Sequence, residues 1–358
     1  MTDTYVSALS PVPPSATVEF VALDKALKKC AAYDRMMLTK EERVKLENEF
    51  QWETSTLLKN LVEHIKGNAI PPISSFYVGV AGLGESGNVY FGCNMEFTGE
   101  RIGATIHGEQ CMLANAAYRG EKAITMFAVN AAPCGHCRQF LNELPGASNI
   151  RVLITNPQVD KKMSAILPYA FGPSDLGATD RFLDTLDNNL EISSSSADDS
   201  ISANNNPKAV KAALDAANRS YSPYTNSPAG ISLVARRGKS IRKKVELDQS
   251  ASTEQGRDES EGREEIIICP GFYVENAAYN PSLPPMQAAL VALRACGVRD
   301  FASIQEAVLV EKRGAPVHHL QSSIELLKTI APGAKIIHLF ADVKKNRKRK
   351  ADGETCTE

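Results

Sequence analysis

No stretch of the 358 residues approaches the roughly 20 consecutive apolar positions that span a bilayer. The opening MTDTYVSALSPVPPS has neither the basic start nor the apolar core of a secretory leader. Charge of one sign is also missing: 40 Lys and Arg against 42 Asp and Glu leave a formal net charge of −2. The body of the protein therefore carries no basic footprint for a polyanion. Aromatic residues make up only 6% of the chain, which argues against a groove that stacks bases. Cysteine is sparse. Eight are scattered, some inside apolar stretches such as VALRACG (291–297), which reads as reduced thiols and not as a disulfide framework. The expected location is cytoplasmic, with no membrane association, and nucleic acid is an unfavoured partner.

What is present is the composition of a globular protein, 43% hydrophobic and 23% charged, long enough for two domains. Residues 16–67 read as helical, most clearly in KEERVKLENEFQWETSTLLKNLVEHIKG, which closes on Gly67. From Phe76 the pattern changes. FYVGVAGL and NVYFGCNMEF are strand-like and separated by the turn signal GESG, which predicts a hairpin. HGEQCMLANAAYRG is a short helix stopped at Gly120, AITMFAV a buried strand, CGHCRQFLNEL a second helix and IRVLIT a further strand. Strands alternating with helices predict an α/β layered domain over 68–187, preceded by a helical segment over 1–67. The Ser/Asn/Asp-rich run 188–206 reads as a linker to a second domain, 207–343. Within that domain 236–265 has almost nothing to bury and reads as a disordered insertion. The tail, 344–358, has six basic residues in its first seven positions. It reads as a solvated, disordered tail, with nuclear import left open.

The two halves look like copies. PISSFYVGVAGLG (72–84) matches PYTNSPAGISLVA (223–235) in layout, CNMEF (93–97) sits where YVENA (273–277) does, and APCGHCRQFLNEL (132–144) lines up with APVHHLQSSIELL (315–327). In this alignment His107 falls on Pro284, Glu109 on Met286, Cys134 on Val317 and Cys137 on Leu320. The second copy has kept the hydrophobic pattern and lost every candidate ligand.

Those residues are metal ligands by type and spacing. His107 in HGEQC and the Cys134-x-x-Cys137 pair in PCGHC provide three zinc donors, and the Cys pair sits at a helix start, where free N–H groups and the dipole favour thiolates. Structural zinc sites are closed by four protein ligands, whereas catalytic ones use three and leave a position open. Two residues compete for the fourth place. Cys111 is at i+4 from His107 on one helix face; His136 lies inside the C-x-x-C turn and is expected to point away. An open site with one zinc per chain is the reading, and Cys111 is then a small buried residue. Glu109, two residues past the ligand His, is placed to carry protons and not to bind metal.

His-x-Glu followed by Pro-Cys-x-x-Cys is the signature of zinc-dependent deaminases. With PISSFYVG, NMEF, HGEQ, APCGHCRQFLNEL, LPYAFGPSDL, AANRSYSPY and ENAAYNPSLPPMQAAL, the chain resembles cytidine deaminase, in the two-domain homodimeric branch of plants and enteric bacteria, over about 72–341. The resemblance implies a three-layer α/β/α fold, duplicated, with a degenerate second domain. It implies hydrolytic deamination of cytidine and 2′-deoxycytidine in pyrimidine salvage, with hydroxide generated at the zinc attacking C4 and Glu109 shuttling protons. It assigns Asn94 and Glu96 to the ribose hydroxyls, Phe76 to the pyrimidine, and Phe171 to the other subunit's site. Gly108 stands where the family usually has Ala, at a substrate-binding position that acts through its backbone. The alternatives are a deaminase of RNA or single-stranded DNA, and a zinc scaffold without activity.

Overall fold

The structure is a computed structural model that describes residues 18–192, 206–237 and 265–344. Residues 193–205 of the expected linker, 238–264 of the expected insertion and the tail beyond Lys344 lie outside the described residues. Among the described residues no helix is long and apolar enough to cross a membrane.

Four helices come first: α1 (Val18–Lys29), α2 (Ala32–Arg35), α3 (Lys40–Phe50) and α4 (Thr54–Ile65). Where the sequence pattern runs on from Lys40 to Gly67, the chain breaks at Gln51, which takes a left-handed conformation (φ 54°) and closes α3. Thr39 opens α3 with a reciprocal cap: Glu42 N donates to its hydroxyl, and its own N–H donates to the Glu42 carboxylate at 2.9 Å. A two-residue strand, β1 (Met37–Leu38), interrupts the expected helical segment and pairs with the first sheet. Two residues are too few to show a period of two in the sequence.

That sheet contains β2 (Gly79–Gly84), β3 (Val89–Cys93), β4 (Ile124–Val129), β5 (Arg151–Ile154) and β6 (Val159–Lys162), in the order β1-β3-β2-β4-β5-β6. The expected hairpin is β2–β3, turning at Gly87. The parallel pair β4–β5 is joined through α6 (Gly135–Leu141), the crossover that parallel neighbours require. Two glycines show where helices lie on this sheet. Gly79 pairs with Cys93 and Gly92 with Val80, so Gly79 and Gly92 face opposite sides. A Cβ at Gly79 would strike the Val62 carbonyl on α4; one at Gly92 would strike the Gly108 carbonyl on α5 (Gly108–Tyr118). Helices therefore cover both faces, the expected three layers. The short α7 (Met163–Ile166) follows β6.

The second unit repeats this plan with α8 (Pro207–Asn218), β8 (Ala229–Arg237), β9 (Glu265–Phe272), α9 (Pro285–Ala295), β10 (Ile304–Lys312), α10 (Leu320–Ile330) and β11 (Lys335–Val343). Gly230 and Gly271 stand against α8 and α9 as Gly79 and Gly92 do against α4 and α5. Met95 bridges Ile70 and Ile106, and Val274 bridges Tyr221 and Leu283 in the same two senses. This fixes the register: Met95 corresponds to Val274 and Glu96 to Glu275, one residue off an end-to-end match of CNMEF with YVENA. His107 and Pro284 occupy the same place, each the residue before its helix. The second sheet has the order β7-β11-β10-β8-β9, where β7 (Leu190–Ile192) belongs to the segment read as linker. Its Leu190 is buried at the sheet edge. Helices α5 and α9 pack on each other, and one apolar core runs through both units. That contact explains why α5 is buried from Gly108 to Ala117, polar residues included.

His319, the residue before α10, is 5% exposed, packs on the Tyr273 ring at 4.3 Å, and has no partner for Nε2. Burial depresses its pKa to about 4. A histidine depressed below its unfolded value of about 6.5 contributes full stability above that value and loses it as the pH falls towards 4. The protein should accordingly be about 2 kcal/mol less stable at pH 5 than at pH 7 from this residue alone. Urea melts at the two pH values check this; in His319→Phe that part of the pH dependence should vanish.

Candidate active site

The site is built where two helices begin. His107 precedes α5, and its N–H is held by Gln110 Oε1 at 3.3 Å, so the ring leaves the sheet edge in a fixed direction. Cys134 precedes α6, and its sulfur accepts the Cys137 N–H at 3.5 Å. Arg138 staples the approach to α6, donating from Nε to the Pro133 carbonyl at 2.7 Å and from Nη1 to the Ile166 carbonyl at 2.9 Å.

The structure brings His107, Glu109, Cys134 and Cys137 together. His107 Nδ1 is 3.3 Å from Cys137 Sγ and 3.6 Å from Cys134 Sγ. A tetrahedral zinc, with nitrogen at about 2.0–2.1 Å and sulfur at about 2.3 Å, would hold such atoms about 3.5 Å apart. The three donors thus fit zinc in type, and both nitrogen–sulfur distances fit it in spacing. Glu109 is 4% exposed, and its Oε2 accepts from Cys137 Sγ at 3.1 Å. Burial pushes its carboxyl above the usual carboxylate range. Hydrogen bonds with Cys137 and His107 hold the Cys134 thiol down to about 3, and the same pairing, with burial, pushes Cys137 up. The hydrogen bond with Cys134 raises His107.

The two competitors for a fourth place separate. Cys111 is fully buried, interacts with Cys93, and is not part of the group of potential ligands that closes around His107. His136, expected to point away, instead stacks on the His107 ring at 5.1 Å and brings a ligand atom within 4.8 Å of those of His107 and Cys137. Its Nε2 lies 3.1 Å from the Asn280 carbonyl of the second unit, which draws the ring inward, and its buried Nδ1 has no partner. No local signal in the sequence announces a partner 144 residues away.

Asn94 and Glu96 follow β3 and share one side of the chain. Asn94 accepts from Val78 N at 2.9 Å and donates to the Phe76 carbonyl at 2.8 Å. Glu96 accepts from Ile73 N and Ser74 N, both at 2.9 Å, and from the Ser74 hydroxyl. Both side chains therefore support the backbone of 73–78, which carries Phe76. Each keeps unused hydrogen-bonding capacity, since an amide offers two donors and two acceptor sites and a carboxylate about four acceptor sites. Glu96 also acts electrostatically on His107. Phe171 is 47% exposed, and its carbonyl accepts from Gln139 Nε2 at 2.6 Å and Asn142 Nδ2 at 3.1 Å. Gly108 lies under the sheet: a Cβ there would stand 2.8 Å from Val78 Cγ1 and 2.9 Å from Val80 Cγ2. Val78 and Val80 fill the space an alanine would need.

The cytidine and deoxycytidylate deaminase zinc-binding region matches twice, over residues 53–153 and over 163–245 with 263–323. A cytidine deaminase of Photorhabdus laumondii is 36% identical over 82% of this chain and 86% of its own length. Cytidine deaminase 1 of Arabidopsis thaliana is 38% identical over 79% of this chain and 91% of its own. A crystal structure of cytidine deaminase from Mycobacterium tuberculosis is 28% identical over 33% of this chain and 96% of its own, with a TM-score of 0.30. The second match falls on a half that has Pro284 and Met286 where the first has His107 and Glu109, so the family pattern outlasts these two residues. With a family pattern in each half and relatives aligned along most of both lengths, the chain belongs to the zinc-dependent cytidine deaminase family.

Proposed function

We propose that the protein hydrolyses the free nucleosides cytidine and 2′-deoxycytidine to uridine and 2′-deoxyuridine, releasing ammonia. One observation carries the reading: His107 Nδ1 stands 3.6 Å from the Cys134 sulfur and 3.3 Å from the Cys137 sulfur, beside a buried carboxylate that is not one of these donors. His107, Cys134 and Cys137 would hold the zinc. Bound zinc supplies a Lewis acid that lowers the pKa of water to about 7. Glu109, its carboxyl raised by burial, would take a proton from the attacking water and deliver it to N3 of the base, then take the proton of the hydroxyl formed at C4 and deliver it to the departing amine. Water adds at C4, the C4–N bond breaks, and ammonia leaves. Asn94 and Glu96 use their spare hydrogen-bonding positions on the ribose hydroxyls, and Phe76 packs on the base. A buried carboxylate at the sugar suits a free nucleoside, because an internal nucleotide has its 3′-oxygen esterified. Incubation with cytidine should yield uridine and ammonia in equal amounts. Chelator-treated protein should be inactive until zinc is restored, and no uridine from zinc-loaded protein would end the reading.

The working form is a homodimer of cytoplasmic pyrimidine salvage, with each site shared between subunits. Tyr169, Phe171, Leu176 and Tyr279 are exposed apolar residues. The backbone of Phe171 is tied to α6 of its own chain while its ring stands out, the posture of a side chain that serves a neighbour. Co-expression of Glu109→Ala chains with Phe171→Ala chains tests the sharing. Mixed dimers should contain one site with both its own Glu109 and the partner's Phe171, working at the wild-type rate. If mixed dimers form and nothing is restored, Phe171 acts within its own chain.

A further inference from the structure

The second unit has lost every ligand, yet it reaches both helices that carry them, through one loop. Gln110, which holds the His107 N–H, donates from Nε2 to the Pro281 carbonyl at 3.1 Å, a fully buried bond. His136 Nε2 meets the Asn280 carbonyl at 3.1 Å. Asn276 Nδ2 donates to the Gln139 carbonyl on α6 at 2.9 Å. The loop itself is pinned by one residue of the first unit. Glu143, just past the end of α6 and 0% exposed, accepts from Ala277 N at 2.8 Å, from the Tyr221 hydroxyl at 2.8 Å and from the Tyr224 hydroxyl at 2.6 Å. Three donors spread over the loop and the 221–224 segment converge on one carboxylate.

We infer that Glu143 is a positioning residue for the zinc centre, acting through the 276–281 loop of the second unit. The inference rests on the zinc-deaminase reading of the cluster. The retained carboxylate Glu275 supports it. Glu275 corresponds to Glu96, and it accepts from Tyr224 N and Thr225 N as Glu96 does from Ile73 N and Ser74 N. In the first unit that bracket carries Phe76; in the second it carries Tyr224, whose hydroxyl is on Glu143. The second unit has kept the half of the old site that sets backbone and put it to use against α6. The circuit closes within two residues, since Glu275 fixes Tyr224 and Glu143 fixes Ala277. The consequence at the metal helices is geometric. The Asn280 carbonyl accepts a proton only from Nε2 of His136, so the loop selects that tautomer and holds the ring against His107. The Pro281 carbonyl orients the Gln110 amide so that its oxygen faces the His107 N–H. Partners of this kind, one step removed from the ligands, are worth roughly 10- to 100-fold in metal affinity or activity.

Glu143→Gln keeps the volume but places an N–H group among three donors, so it should free the loop. Three measurements on the full chain test the inference: zinc release into a chelator, kcat and KM for cytidine, and the imidazole 15N signals of His136 in zinc-free protein. Zinc release should quicken about 10- to 100-fold, and kcat should fall with little change in KM. His136 should pass from one tautomer to a mixture. Asn276→Ala loosens the same loop, so the double variant should be scarcely worse than the poorer single one. If Glu143→Gln does not fold, Tyr224→Phe, which keeps the Tyr221 and Ala277 bonds, should show the same three changes more weakly. Normal zinc release and an unchanged His136 tautomer, with only a lower melting temperature, would reduce Glu143 to a structural residue. A wild-type protein that binds zinc and does not deaminate cytidine would sink the functional reading instead, and leave the release and tautomer results to decide this one.

Discussion

Glu109→Ala should retain zinc and lose on the order of 10²–10⁴ in kcat, the range that general acid–base catalysis supplies. That loss corresponds to about 3–5 kcal/mol of transition-state stabilisation. Two features separate this residue from the ligands. Its carboxylate is engaged by the Cys137 thiol and not by His107 or Cys134, so the three zinc donors remain when it goes. Its negative charge also raises Cys137, and removing it makes the thiolate that binds zinc easier to form. The variant should hold metal at least as well as the parent, and its substrate affinity should survive. Metal analysis per chain, together with single-turnover rates on cytidine, checks both halves of the claim. Loss of zinc from Glu109→Ala would make it a ligand, and a rate within tenfold of wild type would move the proton transfer elsewhere.

The centre was legible in the sequence because its four residues form two short local patterns, each at the start of a helix. His107 and Glu109 occupy the first turn of α5, and Cys134 and Cys137 the first turn of α6. The sheet on which both helices rest was legible for the same reason: β2 to β5 are runs of four to six residues with strand character. The elements that escaped are very short or long-range. β1 and β7, of two and three residues, are strands only because a neighbour pairs with them. The correspondence of Glu96 with Glu275 rests on isolated bridges that leave no periodicity behind. His136 is drawn inward by Asn280, and Glu143 is buried by Tyr221, Tyr224 and Ala277. All of these partners lie in the other half of the chain. A conspicuous signal, Cys111 one helical turn from His107, pointed to a candidate that packing assigns to Cys93 instead.

Zinc content should be one per chain, and single cysteine changes should divide cleanly on it. Cys134→Ala or Cys137→Ala removes one of three donors, so both zinc and activity should fall to background. Cys111→Ala should leave the count at one and the rate nearly intact, because that sulfur faces Cys93 inside the core; its expected cost is about 1 kcal/mol of stability from the small void. The second unit should contribute nothing to the count. Pro284 stands where His107 does, and Met286, where the first unit has Glu109, is 1% exposed without a donor for zinc. Two of its three histidines face one carboxylate. Glu311 takes His338 at 2.7 Å and stands 3.6 Å from His318, and these atoms do not close into a metal-sized group. Among the described residues, the group that does close includes His107 and Cys137. Metal analysis of the four proteins, parent and three variants, decides the matter. Two zinc ions in the parent would mean that the second unit binds metal by residues other than those at the corresponding positions. A Cys111→Ala protein without zinc would restore the four-ligand, structural site and remove the open position on which hydrolysis depends.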